Sequence, residues 1–494
     1  MRIPLKNRRL VFRFILVLFL LSLSSPNRVS AAAGEMREEP EHKEGTRIIE
    51  PRSLSREPDP VVVQGKEIPG AQDLPLDGFR VYAHRDGVMV PIPFDFNERD
   101  EDGDYVLPQG EKPTKGTGLV DEKSELAYMA HDTGDRVGAS SLPEGWKKAF
   151  EIQTVDPLNS RKGWAYLLHF AKDAPPKSPE DYVSITEVDE PDPLTGKPYV
   201  VVQGKYFYGR NVKNSPIFYH LHGTRAGGYE EKSFSDHFST RSRMKIMGFI
   251  PFSVDESSIW CETPAYYDGS VRFIRRIKLK ILVGKIKVPT GIIIDITGYD
   301  LVANVPVKIK IPAAVKAISR DAWASYGLDL NSEASGKYTF YSNTRPEGIP
   351  ITGKNGSKGK GFGFDGKDLA PSKDFWSVVT GPYGTFMMRH MTPPDLEARG
   401  LRHYIGLVDN LKEEYAPEYE KGQVGNQLNW LEVQNAPYGM ITMHSYVYYP
   451  PHFKYPDDVQ AYLNILDNPI TSVATEVRSG KEGFSAVHSP LSSQ

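Results

Sequence analysis

Between Tyr266 and Pro312 apolar and charged positions alternate along the chain. Ile277, Leu279, Ile281 and Val283 stand against Lys278, Lys280 and Leu282, the two-residue period of a strand with one wet face. Val305, Val307, Ile309 and Ile311 repeat the pattern against Lys308 and Lys310. Between them Gly291–Ile296 is mostly apolar, as befits a strand covered on both faces. Three long consecutive strands predict a broad antiparallel sheet, and such a sheet needs a cover.

Shorter strand-like runs occur at Phe79–Tyr82, Val88–Phe94, Trp164–Phe170, Ile217–His222, Phe375–Val379, Thr385–His390, Tyr404–Val408 and Gly439–Tyr448. Two stretches have helical spacing. In Ala313–Tyr326, Val315, Ile318, Ala322 and Tyr326 share a face, with Pro312 before it and Gly327 as a stop. Pro456–Leu463 reads as a short helix with Asp457 near its start. The expectation is an all-β chain: an N-terminal β-sandwich over 61–175, a Pro-rich break, then a larger antiparallel β-sandwich over 182–478 carrying one short helix. Residues 34–60 are charged, Pro-bearing and without aromatics, which predicts a disordered linker; 479–494 read as a loose tail. The Gly/Lys-rich stretch Gly353–Gly366 has no strand leading tightly into it and no helix after it, so it reads as a surface loop rather than a phosphate cradle.

Residues 1–33 change the compartment. Five basic residues, an apolar run from Phe14 to Leu21 and small residues at Ser30–Ala33 have the layout of a secretory signal peptide. The apolar run is too short for a membrane span, and no cysteine lies nearby to carry a lipid. The mature chain is expected to be secreted or periplasmic, with no membrane span after cleavage. Loss of six basic residues lowers the formal net charge from −3 to about −9, which argues against nucleic acid as a partner. Cys261 is the only cysteine, so the fold is held without disulfides and depends on a large core.

Three groups of residues carry candidate chemistry. Asp100, Asp102 and Asp104 alternate around Gly103, a layout seen in calcium loops, although Glu98 and Gln109 would fall at that loop's first and last places. His220 and His222 are two apart on one strand face, and with nearby His237 they form a candidate zinc or copper site. Arg272, Arg275, Arg276 and Arg389 would suit uronate carboxylates, with Trp260 and Trp376 for stacking on sugar rings. In that setting His220, Tyr219 or His390 would serve as base, and Arg272 and Arg389 as charge clamp.

Val90-Pro-Ile-Pro-Phe94, the turn at Asp102-Gly103-Asp104, Ser124–Ala130 and Asp268-Gly-Ser-Val-Arg272 together resemble secreted bacterial β-sandwich proteins of the polysaccharide-lyase and galactose-mutarotase-like kind. The match covers about forty residues in two patches, with Phe and Ser where the pattern prefers Gln and Pro. It implies a fold and transfers no catalytic residue. The functional expectation is a carbohydrate-interacting protein, either binding or acting on an acidic polysaccharide. The alternatives are a structural or interaction protein of the cell envelope and a periplasmic metal-binding protein holding calcium or zinc.

Overall fold

The computed structural model describes residues 48–477 apart from 216–217, 284, 312–317, 355–373, 394–397, 399–400, 411–419, 421 and 436–438. The leader, most of the Gly353–Gly366 loop and the expected tail lie outside the described residues. All that is described belongs to one compact unit, Thr46–Gln494.

The chain is all-β. Its largest sheet has nine strands in the order Ile259–Asp268, Arg272–Val283, Ile286–Tyr299, Val302–Ile311, Gly439–Tyr448, Gly384–Met391, Asp374–Gly381, Tyr338–Ser342 and Arg345–Ile351. The three long strands read from the alternating pattern are there. A second sheet of five strands runs Ile250–Val254, Ser235–Ile246, Ser319–Leu330, Gln423–Leu431 and Arg402–Asn410. Apolar side chains from both sheets, among them Tyr326, Leu328, Phe386, Met388, Trp430 and Val447, form the largest core cluster. A four-stranded meander, Val183–Val188 to Phe218–Gly223, packs Val200, Val202 and Phe207 against Phe273 of the large sheet.

The N-terminal region holds a three-stranded and a five-stranded sheet around its own core of Phe79, Tyr128, Phe150 and Leu167. The last strand, Thr471–Glu476, returns to pair with Lys148–Val155 in that region. The stretch expected as a linker is ordered from Ile48 onward. Leu54, Arg56 and Asp59 are buried, and Arg56 donates to Asp59, to Asp156 and to the Asn464 carbonyl. Its charges are thus internal ion-pair partners, which composition alone does not distinguish from solvated ones.

Val459–Asp467 is the helix expected at Pro456–Leu463, beginning three residues later and ending four later; Val459, Tyr462, Leu463 and Ile465 form its buried face. The other expected helix is corrected. From Ser319 to Leu330 the chain is a strand paired on both sides, while 312–317 lie outside the described residues. Ala322 and Tyr326 satisfy a four-residue spacing and a two-residue spacing equally. Ala324, Leu328 and Leu330 complete the two-residue series and decide it.

Two features set up the site. The first is a charged knot where the N-terminal region meets the large sheet. The buried Asp95 carboxylate accepts hydrogen bonds from the backbone N–H groups of Ser270 (3.0 Å), Val271 (2.9 Å) and Arg272 (2.8 Å), and from the Tyr267 hydroxyl (3.0 Å). A Cβ on Gly269 would stand 2.6 Å from that carboxylate, so only glycine fits there. Arg272 in turn donates to Asn97 (2.9 Å), Glu125 (3.0 Å) and Tyr299 (3.2 Å).

The second feature is a seam. Ile286–Tyr299 and Val302–Ile311 are consecutive, yet they pair only at Thr297–Asn304 and Gly298–Ala303. Beyond those rungs Ile286–Tyr299 stays with Arg272–Val283, and Val302–Ile311 pairs along its length with Gly439–Tyr448. The hydrogen-bond ladder of the large sheet is interrupted there.

Replacing Arg272 by Met leaves Glu125 buried without that guanidinium. Arg99 and Tyr105 still hold Glu125, so urea unfolding is expected to show a loss of about 1–3 kcal/mol, the cost of the buried acceptors left without their donor. A loss below about 1 kcal/mol would mean the knot does not hold the two regions together.

Candidate functional site

Between the two large sheets lies a half-open cavity of about 790 Å³. Folded interiors pack at crystal density with few gaps larger than a water, so a gap of this size is a built feature. Its wall follows from strand alternation. On Arg272–Val283 every second side chain faces it: Phe273, Arg275, Ile277, Leu279 and Ile281. Ala322, Ala324, Tyr326 and Leu328 face it from the five-stranded sheet. Ile292, Ile294 and Ile296 on one side of the seam, and Ala303 and Val305 on the other, also line it. The parted strands are therefore part of the cavity wall.

A buried residue on this apolar surface is charged without an obvious partner in charge. Arg275 is 6% exposed. Its Nε and Nη2 donate to Thr263 Oγ1 (3.1 and 2.9 Å) and its Nη1 to Asn211 Oδ1 (2.7 Å), both neutral acceptors. A one-residue bulge between Glu262 and Ala265 occurs where Thr263 lies beneath the guanidinium. Among the described residues no carboxylate lies within ion-pair distance of Arg275, whereas its neighbours Arg272 and Arg276 pair with Glu125 and Asp295. Burial pushes its pKa down to about 10, with Cys261 and Glu187 acting the other way, so it is a cation at neutral pH. Three of its five N–H donors are used. Buried charges are ordinarily paired, which makes this one a candidate anion receptor.

The other residues singled out from the sequence do not assemble into one groove. Arg272 belongs to the knot. Arg276 is bidentate to Asp295 (2.8 and 2.7 Å). Arg389 holds the Leu463 carbonyl (3.2 Å) and Asp467 near the helix end. Trp260 carries Lys287 over its ring at 3.3 Å, and Trp376 packs beside the core cluster that includes Tyr448. His390 is buried with its Nδ1 between the Tyr326 hydroxyl (2.6 Å) and Ser445 Oγ (2.9 Å); burial, reinforced by His403, drives its pKa down to about 3, so it is neutral. Tyr219 faces away from the two histidines beside it and bonds Asp192, and burial pushes its pKa up.

The metal reading needs correction. His220 and His222 do share a face, their rings 5.3 Å apart with Tyr208 stacked on His222. Burial, then His222, then Arg210 lower the pKa of His220 to about 4. His237, however, is not gathered with them. Among the described residues the one cluster with metal-binding spacing is Asp236, His237 and Asp329, all buried. Asp100, Asp102 and Asp104 do not converge, because Asp100 closes the turn by accepting from the Asp104 N–H (2.9 Å).

Protein groups surround the His237 cluster. Its Nδ1 lies 3.0 Å from Asp236 and 3.9 Å from Asp329, and Arg241 approaches Nε2 at 3.4 Å while pairing with Glu256. The N–H groups of Glu420 and Val424 bond the two aspartates. Burial opposes charge on His237, but Asp236, Asp329 and Glu256 outweigh it and raise its pKa.

A search with protein-family models finds no match to this chain, and no curated protein sequence matches it. The cavity and Arg275 therefore carry the functional argument.

Two expectations test this site. A raised histidine pKa contributes stability that is fully present below the ordinary value of about 6.5 and is lost as pH rises through the folded value. Urea stability should thus fall as pH rises above the ordinary histidine value of about 6.5, and Asp329→Asn should flatten that slope; a slope unchanged by the substitution would contradict the assignment. Cys261 lines the cavity at 3% exposure, and burial, partly offset by Arg275, pushes its thiol up to about 12. Alkylation by iodoacetamide at neutral pH should run at least about 100-fold slower in the folded protein than in urea. Equal rates would mean the wall opens freely.

Proposed function

We propose that this protein binds an acidic amphiphile, with an alkyl chain in the intersheet cavity and a single carboxylate-type head at Arg275. The observation that carries this reading is a buried arginine, without a carboxylate partner among the described residues, on the wall of a large apolar cavity. The volume falls within the range of about 300–1,000 Å³ typical of small-molecule sites, which are likewise mostly apolar with a few convergent polar groups. The chain would supply the binding energy and the head the orientation. An incoming carboxylate would accept from the N–H groups of Arg275 that Thr263 and Asn211 leave free, and would neutralise a charge held in a desolvated place. The seam supports a route for the chain from the side, since no ladder hydrogen bonds cross it beyond Thr297. We take Arg2–Ala33 as an export signal, so the ligand is met outside the cytoplasm.

Recognition of an acidic polysaccharide is the second reading. It needs several guanidinium groups in one open groove, and the four arginines considered for it are buried and bonded at separate places.

Titration calorimetry with straight-chain carboxylates tests both. Burial of one methylene is worth about 0.8 kcal/mol, so affinity should rise about three- to four-fold per added carbon until the cavity is filled. Arg275→Gln should weaken carboxylate binding by about ten-fold or more and leave the matching alcohol within about two-fold. Affinity independent of chain length, or binding of uronate oligosaccharides in place of carboxylates, would overturn the proposal.

A further inference from the structure

Two hairpins leave the cavity wall and end in exposed apolar tips. In the first, Ser235–Ile246 pairs with Ile250–Val254. Its Met244 and Val254 line the cavity, and Phe252, Ile250, Phe249 and Met247 follow outward. The turn places Met247 and Gly248 at φ 53° and 83°, with the Phe249 N–H donating to the Ile246 carbonyl at 3.3 Å, a tight turn whose twist suits a hairpin. In the second, Arg272–Val283 pairs with Ile286–Tyr299; Ile281 and Pro289 line the cavity, and Val288 and Ile286 lie beyond them. Phe249 is 71% exposed, Ile286 68% and Met247 66%. Folded chains rarely expose large apolar side chains in this concentration without a partner for them.

The charge on the same segments selects the partner. Arg243–Val254 contains Arg243 and Lys245 and no acidic residue; Lys278–Thr290 contains Lys278, Lys280, Lys285 and Lys287 and again none. Elsewhere the chain carries an excess of acid, since its total is −3. Lys245 and Lys280 pair with Asp321 and Glu262 of neighbouring strands, and Lys285 and Lys287 stand exposed beside Ile286. Apolar tips flanked by exposed lysine combine insertion with attraction to anionic headgroups, the pairing that holds peripheral proteins on lipid surfaces. We propose that the hairpin tips at Met247–Phe252 and Ile286–Val288 dock on an anionic phospholipid bilayer. The apolar track from the tips to the cavity wall then gives an alkyl chain a continuous path. This last clause rests on the proposed ligand; the docking itself does not.

Vesicle flotation with the full mature chain separates the two. The probes are phosphatidylcholine vesicles with and without one-third phosphatidylglycerol. Wild type should bind the anionic vesicles at least about ten-fold more tightly than the neutral ones, and less tightly as salt rises. The double variant F249S/I286S should lose about ten-fold in vesicle binding, and K285E/K287E should lose the preference for anionic lipid. All four side chains are exposed, and F249S/I286S should bind carboxylates in solution as wild type does. Vesicle binding without carboxylate binding would leave the docking standing and overturn the ligand; carboxylate binding without vesicle binding would do the reverse. Equal binding to both vesicle types, indifference to F249S/I286S, or tip-dependent self-association in place of vesicle binding would overturn the docking.

Discussion

The structure turns on two strands that part. Ile286–Tyr299 and Val302–Ile311 are joined by a tight connection in which Asp300 accepts from the Lys205 N–H at 2.8 Å and the Leu301 carbonyl accepts from Tyr449. Both contacts anchor that connection to neighbouring segments. Each strand is paired with its outer neighbour along its length, while the ladder between the two stops after two rungs. A continuous sheet could settle onto the five-stranded layer along its whole length and fill the space with interdigitated side chains. Here the ladder is interrupted beside the open space between the layers, so that stretch of the sheet lacks cross-strand hydrogen bonds on one side of each strand. The price is a pair of unpaired strand edges, which elsewhere in proteins are sites where another chain or ligand adds on.

The charged knot keeps this arrangement in place. Asp95 fixes the start of Arg272–Val283, and the same strand carries Phe273, Arg275 and Ile277 into the cavity wall. A register slip by one residue would turn Arg275 to the outside and Arg276, with its partner Asp295, to the inside. The knot thus acts on the site through register, at the far end from the exposed tips. In the five-stranded sheet, the His237 cluster ties the start of Ser235–Ile246, far from its tip, to the start of Gln423–Leu431, through Asp329 and the Val424 N–H.

Much of the fold was legible in the sequence because period two is a local signal. The long strands around Ile277, Ile294 and Val305 announce themselves through their neighbours. Ser319–Leu330 does not, because Ala322 and Tyr326 fit a helix as well as a strand and Pro312 upstream favours the helix. The seam was illegible for a different reason: pairing partners such as Gly439–Tyr448 lie more than a hundred residues away, and nothing local says which of two neighbours a strand will choose. In the sequence Arg275 is one of several arginines suited to binding uronate carboxylates. The better signal was present in the pattern itself. Arg275 falls in step with Ile277, Leu279 and Ile281, the face that must be buried, whereas Arg276 falls in step with Lys278 and Lys280. A charge on the dry side of an alternating strand marks either an internal pair or a receptor for one. The histidines misled because a shared face is necessary for a metal site and far from sufficient; the third ligand sits in another network.

The most direct test of the account is a crystal structure of the protein with a sixteen-carbon carboxylate. The account predicts an alkyl chain lying between Ile294 and Tyr326, with its carboxylate within hydrogen-bond distance of Arg275. The two large sheets pressed together with no space between them, or the carboxylate bound elsewhere with Arg275 turned to an acidic side chain of the protein, would contradict it.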